Sequence, residues 1–136
     1  MLVGVLRGAV YFLADLSRAV QHPHRLDFVE YASYHGTRKG EGALVRQCSG
    51  TVEHADVLVV DEVADTGETL DTLRKALRTQ NPGSIAACAL LVKPGAEGAS
   101  KPEFAGFHVG SEFLVGYGLD HDQQLRHLSH VAVLDD

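Results

Sequence analysis

Val57-Leu58-Val59-Val60-Asp61-Glu62-Val63-Ala64-Asp65-Thr66-Gly67-Glu68-Thr69-Leu70 is the stretch whose reading decides the fold. The apolar run Val57 to Val60 fits a central parallel strand covered on both faces. The carboxylates Asp61 and Glu62 fall where that strand is expected to end. Thr66, Gly67 and Thr69 then supply backbone N–H groups and hydroxyls where a helix begins. A strand end, a glycine turn and a helix N-terminus together make an anion site, because unpaired N–H groups and the helix dipole point at the ligand. Acids beside such a cradle are reconciled by a ligand that carries phosphate, sugar hydroxyls and a divalent cation together. An ordinary strand–turn–helix with a capping acid is the plainer alternative. A Walker phosphate loop is excluded, since no Gly-Lys-Ser/Thr follows a glycine.

Composition bounds the rest. The 136 residues make one domain, large enough for a single core. An apolar content of 45% and a charged content of 22% are those of a globular chain. The formal charge of −6 argues against a general nucleic-acid partner. It leaves room for an anionic substrate if a cation and a few local bases carry the positive field. Cys48 and Cys88 read as reduced thiols, and no Cys/His zinc spacing occurs. His22 and His24 flank Pro23 in an expected surface loop. Met1 to Val20 is apolar, but Arg7 and Asp15 interrupt it, no basic region precedes it and no small-residue cleavage site follows. No segment approaches the ~18–20 apolar residues needed to span a bilayer. The expectation is a soluble, cytoplasmic protein without a membrane partner.

Outward from the decisive stretch, the pattern alternates. Leu2 to Leu6 is a short apolar strand, and Arg7-Gly8 a turn. Ala9 to Val20 has apolar residues at helical spacing (Phe12, Leu13, Leu16, Ala19, Val20). Leu26 to Ala32 is a strand, Ser33 to Gly42 a loop rich in Gly, Lys, Arg and Thr, and Ala43 to Gln47 a short return strand. Glu68 to Thr79 is a helix stopped before Pro82-Gly83. Ser84 to Val92 is a long apolar strand, and Gly95 to Pro102 a loop. Phe113 to Val115 and Val131 to Leu134 are short strands. Strands alternating with helices imply an α/β fold, a parallel twisted sheet flanked by helices with right-handed crossovers. Ligands of such sheets sit beyond the C-terminal strand ends. Arg7-Gly8, Ser33-Tyr34, Asp61-Glu62 and Lys93 all follow strands, so they are expected to converge.

Two adjacent acids, two small or apolar residues and then Asp-Thr-Gly-x-Thr resemble the phosphoribosyl-pyrophosphate (PRPP) motif of type I phosphoribosyltransferases. Within that superfamily the chain is most similar to the hypoxanthine-guanine phosphoribosyltransferases, over about Val3 to Leu134. Four landmarks stand in the family's order. Gly4-Val5-Leu6-Arg7-Gly8 with Phe12-Leu13-Ala14-Asp15-Leu16 resembles the pyrophosphate loop and following helix. Asp27-Phe28 and Ser33-Tyr34 resemble the start of the flexible catalytic loop. Asp61 to Thr69 is the PRPP motif. Phe113-Leu114-Val115-Gly116-Tyr117-Gly118-Leu119-Asp120, with Arg126, resembles the purine-binding segment. The resemblance implies one phosphoribosyltransferase domain over 1–136, with a core of about 1–92 and a small C-terminal hood of about 93–136.

It also implies roles. Arg7, Gly8 and Arg126 would bind pyrophosphate, with a non-proline cis peptide in the Leu6–Arg7–Gly8 turn. Asp61 and Glu62 would bind the ribose hydroxyls and help hold Mg²⁺ through water, since it takes few carboxylates and keeps several waters, and Asp120 would bind a second Mg²⁺. Asp65, Thr66, Gly67, Glu68 and Thr69 would cradle the 5-phosphate. Asp65 would also accept the N7 proton of the base as the catalytic residue. Lys93 would donate to a purine 6-oxo group, Phe113 would stack on the base, and Leu114 would meet its edge. Ser33 and Tyr34 would belong to a lid that excludes water. The implied reaction is purine salvage, from PRPP and hypoxanthine or guanine to the nucleoside monophosphate, in a homodimer or homotetramer. A xanthine-guanine preference, or a non-catalytic PRPP- or nucleotide-binding module of the same fold, stands as the alternative. The family normally has Asp where Glu62 stands, and some tens of residues before the strand that here begins at Leu2.

Overall fold

A computed structural model describes residues 1–32, 43–96 and 101–135. The elements are β1 (Leu2–Leu6), α1 (Val10–Ala19), β2 (Leu26–Ala32), β3 (Ala43–Arg46), β4 (Asp56–Ala64), α2 (Glu68–Arg78), β5 (Ser84–Val92), β6 (Phe104–His108), β7 (Leu114–Val115) and β8 (Ala132–Val133). Among the described residues, the first six strands form one sheet in the order β3-β2-β1-β4-β5-β6, and β7 and β8 form a separate antiparallel pair. The pairs β2·β1, β1·β4, β4·β5 and β5·β6 are parallel, while β3 runs antiparallel on its edge. No helix among the described residues is long and apolar enough to cross a membrane.

Strand alternation sorts the core into two faces. Val3, Val5, Val29, Val57 and Val59 pack with Leu70, Leu73 and Leu77 of α2. Leu2 and Val60 pack with Leu13 of α1, flanked by Phe12, Leu16, Phe28 and Leu58. The two helices therefore cover different faces of the sheet. Each fully buried leucine contributes about 1.5–3 kcal/mol by leaving water.

One expectation needs correction, and one strand was missed. The strand expected to end at Val60 continues to Ala64, because β5 pairs with it as far as Ala64↔Val92. Asp61 and Glu62 thus lie inside a strand whose ladder is fixed by its neighbour. The sheet is mostly parallel, as expected, with the return strand β3 antiparallel at the β2 edge. Finally, β6 was not expected from sequence. All five of its residues are exposed, so its Phe-Ala-Gly-Phe-His sequence carries no buried alternation. Only pairing with β5 defines it.

Candidate active site

Parallel strands deliver their C-terminal ends to one side of the sheet, so the loops after β1, β4 and β5 meet there. Glu62, Val63, Asp65, Lys93, Phe113, Leu114, Leu119 and Asp120 line a cleft of about 240 Å³. Six of the residues singled out in the sequence are among them.

The turn after β1 forms one side of the site. The Leu6–Arg7 peptide bond is cis, the form the resemblance implies. Val60 packs with α1, and Glu62, two residues further along β4, reaches the turn that leads into α1. A Cβ added to Gly8 would fall 1.7 Å from Glu62 Oε1. Gly8 is therefore the residue that lets this carboxylate rest on the turn's backbone. The Arg7 guanidinium donates to Gln123 Oε1 at 3.3 Å.

Asp61 is 5% exposed, and its carboxylate accepts the Glu62 backbone N–H at 2.9 Å. Burial, then the charge of Glu62 beside it, pushes Asp61 well above the usual carboxylate range. Asp65 and Thr66 are exposed. Gly67, at φ 78°, is the N-cap of α2, and no side chain caps that terminus. Thr66 Oγ1 accepts the Glu68 N–H at 3.4 Å, and the Gly67 carbonyl accepts the Asp71 N–H at 3.0 Å. The start of α2 thus offers N–H groups and a dipole to an anion. Across the cleft, Lys93 leaves β5 with its backbone N–H held by the Ala64 carbonyl at 2.9 Å. It makes no ion pair among the described residues.

The C-terminal segment that the resemblance reads as a hood supplies Phe113, Leu114, Leu119 and Asp120 to the other side. Phe113 is half-exposed, and its ring meets the His121 ring edge-on at 5.7 Å and 88°. Arg126 donates to the Gly118 carbonyl at 2.6 Å and pairs with Asp120 at 2.7 Å. The second Asp120 oxygen accepts the Gln123 N–H at 2.9 Å. Arg126 is not among the residues that line the cleft, which it adjoins through Asp120. Ser33 and Tyr34 lie outside the described residues. Sequence reasoning passed over Gln123 and His121 and gave Tyr117, quoted within the purine-binding segment, no role of its own; the paired glycines Gly116 and Gly118 were the local sign that Tyr117 sits in a tight turn. The Tyr117 hydroxyl donates to Asp15 of α1. Burial, then that carboxylate, pushes the phenol up to about 12.

A family model described as a phosphoribosyl transferase domain matches residues 1–122. The chain is 40% identical over 135 residues to hypoxanthine phosphoribosyltransferase of Salmonella typhimurium, covering 97% of this chain and 76% of that protein. It is 38% identical over 138 residues to hypoxanthine-guanine phosphoribosyltransferase of Mycobacterium avium, covering 99% and 68%. Among solved structures, a Bacillus anthracis hypoxanthine-guanine phosphoribosyltransferase superposes with a TM-score of 0.91 at 30% identity, over 98% of this chain and 81% of that one. A Trypanosoma cruzi hypoxanthine phosphoribosyltransferase in complex with the product IMP gives 0.89 at 32%, over 98% and 74%. With a family match over most of its length and a relative at 40% identity, the chain belongs to the phosphoribosyltransferase family.

Proposed function

We propose that this protein is a purine-salvage enzyme that transfers the phosphoribosyl group of PRPP to a 6-oxopurine, hypoxanthine or guanine, releasing pyrophosphate. The observation that carries the reading is the cleft in which Lys93, Asp65, Phe113, Leu114, Glu62 and Asp120 meet, beside the uncapped start of α2. In this reading the base lies against Phe113, with Leu114 at its edge and the Lys93 ammonium donating to the 6-oxo oxygen. An adenine amino group would face that donor unpaired, which disfavours adenine. The 5-phosphate sits on the N–H groups of Asp65 to Thr69, and the ribose hydroxyls meet Asp61 and Glu62. As the base N9 forms its bond to the ribose anomeric carbon, the bond to the diphosphate oxygen breaks. Pyrophosphate leaves with that electron pair toward Arg7, the Gly8 backbone and Arg126. Asp65 accepts the proton given up at N7, an effect worth ~10²–10⁴-fold.

The donor set fits a Mg²⁺ that arrives with the diphosphate. Glu62 and Asp120 line the same cleft, Asp61 is buried next to Glu62, and no cluster of three metal-ligating side chains occurs among the described residues. Magnesium prefers one or two carboxylates completed by substrate oxygens and water. When bound, it would neutralise charge on the leaving group. The proposed setting is the cytoplasm, where the free thiols of Cys48 and Cys88 would stay reduced. The proposed assembly is a homodimer or homotetramer, to which exposed Phe104 and Phe107 on β6 would offer apolar area.

Incubation with PRPP and Mg²⁺ and, separately, hypoxanthine, guanine, xanthine and adenine tests the reading. Nucleotide from the 6-oxopurines but not from adenine is the expected result. Equal turnover of adenine would overturn the role of Lys93. PRPP binding without turnover of any base would point instead to a non-catalytic module.

A further inference from the structure

The two arginines of the proposed pyrophosphate site belong to different parts of the molecule. Arg7 follows the central strand β1, whereas Arg126 belongs to the hood. Their separation depends on how the hood segment Gly116–Leu119 lies on the core. That segment is a tight turn, with mutual bonds Gly116 N–H to Leu119 carbonyl at 2.9 Å and Leu119 N–H to Gly116 carbonyl at 3.1 Å. Gly118, at φ 104°, sits so close to the pyrophosphate turn that an added Cβ would fall 1.9 Å from the Gly8 carbonyl oxygen. The same Gly118 carbonyl holds the Arg126 guanidinium at 2.6 Å, and its N–H donates to the Arg126 carbonyl at 3.0 Å.

Tyr117 fixes this turn to the core from the other side. Its ring lies over α1, 6.2 Å from the Tyr11 ring, and its hydroxyl donates to Asp15, one helical turn beyond Tyr11. The residue takes a φ of 50°, which a non-glycine residue adopts rarely. Asp15 also pairs with Arg18, but at the exposed surface of α1, where such a pair contributes little. Besides the 3.3 Å bond from Arg7 to Gln123, the Tyr117–Asp15 bond ties the hood turn to the core by side chains. The base-binding residues Phe113 and Leu114 are held within the hood by β8 and not by the Tyr117 bond, through the Leu134 N–H to Phe113 carbonyl bond at 2.9 Å and the Leu114↔Val133 pairing.

We propose that Tyr117 and Asp15 are positioning residues, a latch that sets the distance between the Arg7–Gly8 turn and Arg126 and so governs recognition of the diphosphate but not of the base. The inference rests on the proposed phosphoribosyl transfer. Neither residue touches substrate; each acts through the turn it holds. A hydrogen bond to a charged group is strong enough to matter at this scale.

Steady-state kinetics in both directions tests it, with Tyr117→Phe, Asp15→Ala, the double variant, Asp15→Asn and Arg18→Ala. Tyr117→Phe is expected to raise KM for PRPP, and for pyrophosphate in the reverse reaction, about ten-fold. KM for the base should stay within about two-fold. Asp15→Ala should match it, and the double variant should be no worse than either, as a shared bond requires. Asp15→Asn, whose carbonyl oxygen still accepts, should recover most of the loss. Arg18→Ala should change no constant, since Arg18 touches Asp15 but not the hood. Equal rises in KM for base and PRPP, additive losses, or unchanged KM for PRPP would overturn the latch. Failure of the underlying reading looks different, because the wild type would then form no nucleotide. Calorimetric affinity for pyrophosphate still decides the latch in that case, and equal affinity of wild type and Tyr117→Phe would refute it.

Discussion

Gly8 and Glu62 show how little room the site leaves. A methyl group at Gly8 would collide with the Glu62 carboxylate, not with backbone. The side chain can swing away at small cost to the fold, but it then leaves the cleft. Gly8→Ala is expected to lower kcat/KM for PRPP by about 100-fold, the scale of a ~1 Å misplacement, while the thermal midpoint changes little. A large loss of stability without loss of activity would refute the contact. Gly118→Ala should behave differently, since its Cβ would meet the Gly8 carbonyl and its φ is positive; stability and activity should fall together. Asp65 makes a cleaner probe of chemistry. It is exposed, so Asp65→Asn should leave the fold and PRPP binding nearly intact while most turnover is lost. Equal turnover in the two proteins would remove the proton-accepting role.

At the scale of elements, Glu103, the residue before β6, is tied to both β5 and α2. Glu103 accepts the Ala87 N–H at 2.6 Å and pairs with Arg74 at 2.6 Å, and Arg74 also donates to the Lys101 carbonyl at 3.1 Å. Arg74 is buried whereas Glu103 is half-exposed, so the pair is stronger than a surface bridge and weaker than a sealed one. Glu103→Gln is expected to destabilise by about 1–3 kcal/mol in urea unfolding, because it leaves the guanidinium without its counter-charge. Elements were legible in the sequence to the degree that burial marked them. Val57–Val60, Ser84–Val92 and the leucines of α2 carry their periods openly. Strand β6 carries none, because an exposed edge is specified by its neighbour. The acids of β4 suggested a strand end, yet the ladder with β5 overrides their polarity. The site's loops could be assigned to one end of the sheet once the strands were parallel. The Tyr117–Asp15 contact joins residues 102 apart in sequence, and no local pattern encodes it.

For the whole molecule, charge sets the response to solution conditions. Burial pushes Glu103 up, but hydrogen bonds from Ala87 and its own backbone, then Arg74, outweigh it and hold the carboxyl below its ordinary 4.5. A carboxyl lowered on folding adds stability that is full above the unfolded value and is lost as pH falls through the folded one. The stability difference between wild type and Glu103→Gln should therefore be constant at neutral pH and shrink below about pH 4.5. A difference that grows on acidification would contradict the shift. Asp27 is lowered likewise: burial opposes it, but the N–H groups of Gly50 and Phe28 and the Ser49 hydroxyl prevail. At a formal charge of −6 the chain repels an anionic substrate unless a cation intervenes. Chelation with EDTA is expected to abolish both turnover and the thermal stabilisation by PRPP, and added Mg²⁺ to restore them.

The strand order has one more consequence. β1, β4 and β5 are consecutive neighbours, and their ends carry, in that sequence, the groups proposed for pyrophosphate, for ribose phosphate and for base. Neighbouring strands are spaced by about 4.8 Å, so the three stations span about 10 Å. The sheet is a ruler laid along the substrate, and each graduation is a separate loop. A change of acceptor base can thus be written at β5 and the hood alone, while the marks that measure the sugar and its phosphates stay where they are.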